Sequence, residues 1–123
     1  MKQRILVVDD DRLVADTLRL IYAANGYDSQ ACYSAASGLE TARSFAPELV
    51  LCDVTMPEEC GLSLADKLNA EMPLCKILMF TAFASNASRV YLRAQQMDRP
   101  LKLLSKPCPP EELLRETRNQ LAA

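Results

Sequence analysis

Five short apolar runs alternate with amphipathic stretches along this chain, and no other feature limits the possible folds as strongly. A run such as "ILVV" is apolar at every position, which is typical of a strand buried on both faces, because a half-buried strand would alternate. Five strand–helix repeats predict right-handed crossovers and a five-stranded parallel sheet covered by helices on both faces, a doubly wound (βα)5 α/β fold. The runs occupy residues 5–8, 29–32 (a weak run), 49–52, 77–80 and 101–104.

The stretches between the runs show helical spacing and contain residues that start or stop helices. Asn25-Gly26 supplies a stop for the first helix, and Ser34 is the expected N-cap of the second. Pro110 suits the first turn of the last helix, because its missing N–H has no helical partner there in any case. Further helices are expected around residues 64–68 and over residues 86–97, so the sequence predicts five in all.

Length and composition favour a single soluble domain covering residues 1–123. Half of the residues are apolar and a quarter are charged, which is an ordinary globular balance. The net charge of −2 and the mixed signs weigh against direct nucleic-acid binding. The apolar runs are too short to span a membrane, and the N-terminus enters a strand at once without a signal peptide. We therefore expect a cytoplasmic protein with no membrane association.

The cysteine and histidine content limits the chemistry that the chain can perform. Its five cysteines are odd in number and form no C-x-x-C pair, which disfavours a disulfide framework and a structural zinc site. We expect them to fill the core, with a redox role for the loop residue Cys60 as the alternative. There is no histidine. Any metal site must therefore use oxygen ligands, and any histidine chemistry must come from a partner.

Polar residues follow four of the five predicted strands. Ligands of such sheets bind beyond the carboxyl ends of the strands, so these residues are the candidates for a functional site. Each alone is more often a turn or cap residue, but their convergence on one edge indicates a site. Two carboxylates about 4 Å apart repel by roughly 4 kcal/mol at an effective dielectric of about 20, so something should offset this repulsion. The residues are Asp9, Asp10, Asp11, Asp53, Thr81 and Lys106.

Four motifs, "VVDDD", "LVLCDVTMPEECGL", "ILMFTA" and "LLSKP", together resemble the receiver domains of two-component response regulators, which have a flavodoxin-like, chemotaxis-regulator fold. The resemblance covers the whole chain. It implies a phosphorylation-dependent switch in which a sensor histidine kinase phosphorylates Asp53, and Thr81 and Lys106 contact the phosphoryl group. A conformational change then reaches a downstream effector or output domain. The resemblance also implies that the peptide bond between Lys106 and Pro107 is cis.

The resemblance further implies that Mg²⁺ offsets the repulsion among the carboxylates. Asp10 and Asp53 would ligate the ion, Asp9 would act mainly through water, and the backbone carbonyl of Thr55 would add a ligand. Mg²⁺ prefers such hard oxygen ligands. Asp11 falls just beyond the acidic pair, and we expect it to cap the first helix.

Some positions depart from the family pattern or tune it. Leu103 stands where receivers usually have an aromatic switch residue, and we expect it to stay packed. "MDRPLK" replaces a small Gly-Ala turn, and the segment from Thr81 to Lys106 is longer than usual. Phe83 and Thr55 correspond to positions that flank the path of the hydrolytic water. We expect Phe83 to shield the phosphoryl group and prolong the signal, unless its ring packs on the helix expected over residues 86–97, remote from the site.

Other functions remain as alternatives. A receiver-like scaffold that works without phosphorylation would share the fold. A haloacid-dehalogenase-type phosphatase needs a second Asp two residues after its nucleophile, where this chain has Thr55. A Rossmann-type nucleotide binder would need G-x-G-x-x-G, which is missing. We expect no enzymatic activity beyond self-phosphorylation and slow self-dephosphorylation. The kinase, the output and the oligomeric state are left open.

Overall fold

The computed structural model describes residues 2–54, 61–81 and 102–123. Within them, short strands alternate with helices as the apolar runs predict. The helix expected over residues 86–97 lies outside the described residues, as do Thr55, Cys60 and Phe83. The elements are β1 Arg4–Val8, α1 Arg12–Ala24, β2 Asp28–Cys32, α2 Ala35–Phe45, β3 Leu49–Asp53, α3 Gly61–Glu71, β4 Lys76–Thr81, β5 Lys102–Ser105 and α4 Pro110–Ala122.

The five strands form one parallel sheet in the order β2-β1-β3-β4-β5, which confirms the predicted sheet. The chain moves outward from β1 to the edge strand β2 and then returns to β3 on the other side of β1. Val8 pairs with Cys52, so the ends of β1 and β3 lie side by side at the point where the strand order reverses. Ligand sites of doubly wound sheets form at such a point.

Both faces of the sheet are buried, as predicted from the unbroken apolar runs. Successive residues of β1 point to opposite faces, so Leu6 packs with residues of α2 and α3, and Ile5 packs with residues of α1 and α4. On the second face, the hydroxyl of Tyr22 lies 2.8 Å from Oγ1 of Thr117, joining α1 to α4 inside the core. This packing fixes the strand ends that carry the polar residues.

The predicted helix ends are confirmed. Asp11 is the N-cap of α1, and its side chain accepts the N–H groups of Leu13 and Val14 at 3.0 and 3.3 Å. Ser34 caps α2 by accepting the N–H of Ser37 at 3.1 Å, and Pro110 is the first residue of α4. The cap of α1 directs the chain out of the acidic segment and into the helix.

The described residues also show where the cysteines and Leu103 lie. Cys32, Cys52 and Cys75 are buried, as expected for residues that fill the core, and Cys108 is half-buried. Leu103 is half-buried and packs against the core on the side of α2 and α3. No helix within residues 2–54, 61–81 and 102–123 is both long enough and apolar enough to cross a membrane.

Candidate functional site

Three carboxylates meet where β1 and β3 end. One oxygen from each of Asp9, Asp10 and Asp53 lies within 4.8 Å of the other two. Asp9 and Asp53 are buried, with 1% and 6% of their surface exposed, whereas Asp10 is exposed. The group therefore has a buried base and one side that solvent or a ligand can reach. The structure brings together the three carboxylates that the sequence predicted for the metal.

Lys106 places an ammonium group against two of these carboxylates. Its Nζ donates to Oδ2 of Asp9 at 2.8 Å and lies 3.6 Å from Oδ2 of Asp53. Burial alone would lower the pKa of Lys106, but the hydrogen bond to Asp9 and the negative charges of Asp53 and Asp9 outweigh it and raise this pKa. Lys106 thus provides part of the positive charge that the crowded carboxylates require.

The contact between Lys106 and Asp9 was missing from the sequence-based prediction, which assigned Asp9 to water-mediated metal binding and Lys106 to the phosphoryl group. Asp9 also accepts the N–H of Asp11 through Oδ1 at 3.0 Å. Both oxygens of Asp9 therefore have protein partners. A water-mediated role for Asp9 toward a metal remains compatible with this arrangement, because each carboxylate oxygen can accept more than one hydrogen bond.

Backbone pairing positions Thr81 and Lys106 at the same edge of the sheet. Thr81 is the buried last residue of β4, and its carbonyl accepts the N–H of Lys106 at 2.8 Å. Asp53 pairs with Phe80 on the neighbouring strand, so Thr81 is one residue beyond the partner of Asp53. The peptide between Lys106 and Pro107 is cis, as the resemblance implied.

Gly61 is a structural contributor to the site that sequence reasoning missed. Its N–H donates to the carbonyl of Val54 at 2.8 Å, and a Cβ added at Gly61 would overlap the carbonyl oxygen of Asp53. Only glycine allows the start of α3 to lie this close to the end of β3. The sequence signal was the glycine inside "LVLCDVTMPEECGL", to which no role was assigned.

The donor set fits a hard divalent cation. Carboxylate oxygens are the side-chain ligands that Mg²⁺ prefers, and the exposed side of Asp10 leaves room for the waters that this ion keeps. The structure does not describe Thr55, so its backbone carbonyl remains a predicted ligand.

Comparisons with known proteins agree with this fold. The model of the response regulator receiver domain matches residues 5–118. The response regulator MprA of Mycobacterium ulcerans is 38% identical over 90 residues, covering 73% of this chain and 39% of that protein. The DNA-binding response regulator MtrA of Mycobacterium tuberculosis is 31% identical over 121 residues, covering 98% of this chain and 51% of that protein.

Solved structures show the same relationship. A CheY-like response regulator receiver domain protein from Methanospirillum hungatei has a TM-score of 0.86 and 29% identity, covering 99% of this chain and 95% of that one. The chain belongs to the response regulator receiver domain family of two-component systems. Such domains act in phosphorylation-dependent signalling, generally use Mg²⁺ and are not conventional enzymes. The chain spans about two fifths to one half of the curated relatives it matches.

Proposed function

We propose that residues 1–123 form one receiver domain, in which Asp53 accepts a phosphoryl group from a histidine of a sensor kinase. The observation that carries this proposal is the convergence of Asp9, Asp10, Asp53 and Lys106 at one edge of the sheet. Asp10 and Asp53 would hold Mg²⁺ directly, Asp9 would hold it through water, and the Thr55 carbonyl would complete the protein ligands. The bound ion would neutralise charge on the transferring group.

In the reaction, an oxygen of Asp53 forms a bond to phosphorus while the phosphorus–nitrogen bond to the donor imidazole breaks. The imidazole nitrogen keeps the electron pair and leaves as a neutral ring once that ring is protonated. The product on Asp53 is an acyl phosphate. This step brings an anionic nucleophile to an anionic group, so it depends on positioning and on positive charge around the phosphoryl oxygens.

Lys106 is suited to provide that charge. Its Nζ is 3.6 Å from Oδ2 of Asp53, so a small movement of this ammonium would let it contact a phosphoryl oxygen next to Asp53. Its partner Asp9 keeps it at the site before the phosphodonor arrives. The pKa of Lys106 is raised above its ordinary value of 10.5, so the ammonium stays protonated at neutral pH and supplies a positive charge.

Thr81 would couple phosphorylation of Asp53 to a movement of the domain. We expect its hydroxyl to donate a hydrogen bond to the phosphoryl group and to draw the following segment toward Asp53. This movement would change the surface that an effector or an output domain recognises. The MtrA relatives are named as DNA-binding regulators. For this chain we propose signalling through such a partner, without direct contact to nucleic acid.

Intact-mass measurement of the purified chain, mixed with Mg²⁺ and a small phosphodonor such as phosphoramidate, tests the assignment. We expect wild type to gain one phosphoryl group, Asp53→Asn to gain none, and chelation of Mg²⁺ to slow the reaction strongly. Asp28→Asn is the matched control, because Asp28 begins β2 at the opposite edge of the sheet. Failure of the wild type to gain mass from any phosphodonor would favour the scaffold alternative.

A further inference from the structure

A cavity lies at the edge of the sheet opposite the carboxylates. It has a volume of about 560 Å³, opens to solvent, and lies between the amino ends of β1 and β2 and the later part of α1. Cavities that bind small molecules have volumes of roughly 300–1,000 Å³. Its lining includes Lys2, Arg4, Arg19, Tyr27, Asp28 and Ser29.

The cavity concentrates positive charge on a chain whose net charge is −2. Lys2, Arg4 and Arg19 bring three positive charges to its walls, against the single carboxylate of Asp28. Within the described part of the chain, none of these cations forms an ion pair. Arg4 donates Nε to the carbonyl of Ala46 at 3.0 Å, which holds its guanidinium in place and leaves its terminal nitrogens for another acceptor.

Among the residues that the structure describes, the fold gives only Arg4 of the three cations a structural contact, with the C-cap carbonyl of α2. Basic residues often compensate the negative carboxyl end of a helix, but the last turn of α1 contains none, since Arg19 lies further back along the helix. The side chains of Lys2 and Arg19 make no hydrogen bond to any residue that the structure describes. Like charges around one cavity repel each other, so an anionic occupant would relieve this repulsion.

From this arrangement we infer that the cavity is a binding site for a small polyphosphate, either free or as the diphosphate group of a nucleotide. Three cations and one carboxylate give the walls a charge of about +2, which matches a pyrophosphate group carrying two to three negative charges. Arginine presents a planar set of donors that pairs with two phosphate oxygens at once. Lys2 adds a point charge at the open side, where it is exposed.

The other walls of the cavity suit a ligand with an organic portion. Tyr27 is half-buried, and its ring meets that of Tyr22 edge to face, with the centroids 5.6 Å apart and an interplanar angle of 86°. The hydroxyl of Ser29 donates to the carbonyl of Arg19 at 2.9 Å, which ties the start of β2 to the helix. Elements of regular structure therefore hold the cavity, and a ligand would not have to order them when it binds.

Calorimetric titration in chelator tests the site with three probes: pyrophosphate, adenosine diphosphate and adenosine. We expect the first two to bind and to raise the melting temperature of the chain, and adenosine not to bind. Equal affinity for the first two would indicate a site for the free polyphosphate. Tighter binding of adenosine diphosphate than of pyrophosphate would indicate that the ligand is a nucleotide. Binding of neither phosphate compound would overturn the inference.

The variants Lys2→Gln and Arg19→Gln identify the cavity as the place of binding. Each should weaken pyrophosphate binding about threefold, and the double variant about tenfold, as expected for partly exposed charges. Arg118→Gln, an exposed position on α4, is the matched control and should leave the affinity unchanged. Lys106→Gln is the competing-site variant: if it abolished binding while Arg19→Gln had no effect, pyrophosphate would occupy the carboxylate edge and the inference would be wrong.

Discussion

The ammonium of Lys106 lies 2.8 Å from a carboxylate oxygen of Asp9, although 97 positions separate the two residues in the chain. Asp9 is almost fully buried, whereas about a quarter of the Lys106 side chain is exposed. A buried carboxylate that loses its ammonium partner is left with an uncompensated charge, which costs more than the pair contributes when intact. This pair therefore links the stability of the domain to its site.

A double-mutant cycle tests this link. In chelator, Lys106→Met should lower the free energy of unfolding by about 1–3 kcal/mol, because it leaves Asp9 charged and buried. Asp9→Asn should cost less, and the double variant should lose less than the sum of the two single changes. Urea denaturation measures all four proteins. Strict additivity of the two losses would show that the contact does not contribute to stability.

Asp10 provides the corresponding test for the metal. Millimolar Mg²⁺ should raise the melting temperature of wild type, because the ion binds the folded state and relieves repulsion among three carboxylates. Asp10→Asn removes one of these charges, so we expect it to be at least as stable as wild type in chelator. It should gain little from Mg²⁺. If millimolar Mg²⁺ left the melting temperature of wild type unchanged, a metal site of useful affinity would be excluded.

Gly61 should tolerate no side chain. The Cβ of Gly61→Ala would overlap the carbonyl oxygen of Asp53, so either α3 or the end of β3 must move, at a cost of about 1–3 kcal/mol. Gly38→Ala is the control, since its Cβ would meet the side chain of Val8, which can shift more easily than backbone. We expect a larger loss of stability for Gly61→Ala and a slower phosphorylation of Asp53. Equal stability losses would contradict the close approach.

The sequence predicted those parts of the molecule that depend on local patterns. Unbroken apolar runs located the central strands, and Asp11 was correctly assigned as a cap, because the side chain of a cap bonds to residues only two or three positions away. The edge strand β2 was the weakest run, and its residues "DSQAC" are largely exposed or half-buried. Strand ends also predicted which carboxylates meet, since parallel strands deliver their carboxyl ends to one edge.

Contacts between distant segments were beyond sequence reasoning. The pairing of Lys106 with Asp9 depends on side-chain directions at the ends of two strands that are not neighbours in the sheet. The cations of the cavity beside α1, such as Arg4 and Arg19, belong to different elements, and a net charge of −2 gave no indication that they lie together. The roles of Thr55 and Phe83 remain predictions, because the structure does not describe them.

The position of Leu103 in the structure lowers the loss of stability that we expect when its side chain is truncated. Truncating a fully buried leucine costs about 2–5 kcal/mol, but Leu103 is only half-buried against the core of α2 and α3. We therefore expect Leu103→Ala to lower the free energy of unfolding by about 1–2 kcal/mol. Leu104→Ala, at the buried neighbour on the opposite face, should cost more. Denaturant unfolding of both variants checks this order, and the reverse order would show that Leu103 is the more tightly packed.

The buried pair of Tyr22 and Thr117 leads to a prediction about alkaline stability. The single hydroxyl hydrogen of Thr117 is donated to the carbonyl of Leu113 at 2.8 Å, so the hydroxyl of Tyr22 must be the donor to Thr117. Thr117→Val would leave that buried donor without an acceptor, at a cost of about 1–3 kcal/mol, whereas Tyr22→Phe should cost about 0.5–1.5 kcal/mol. Combining the two changes should cost less than their sum.

Burial is also the main reason that the pKa of Tyr22 is raised far above its ordinary value of 10.0 in the folded protein. The unfolded chain releases the proton near pH 10 while the folded chain still holds it. The stabilising contribution is therefore complete below pH 10 and is lost as the pH rises above it. Tyr22→Phe removes this titration, so its free energy of unfolding should fall less steeply than that of wild type above pH 10. Parallel slopes for the two proteins in urea titrations across this pH range would show that Tyr22 ionises as readily when folded as when unfolded.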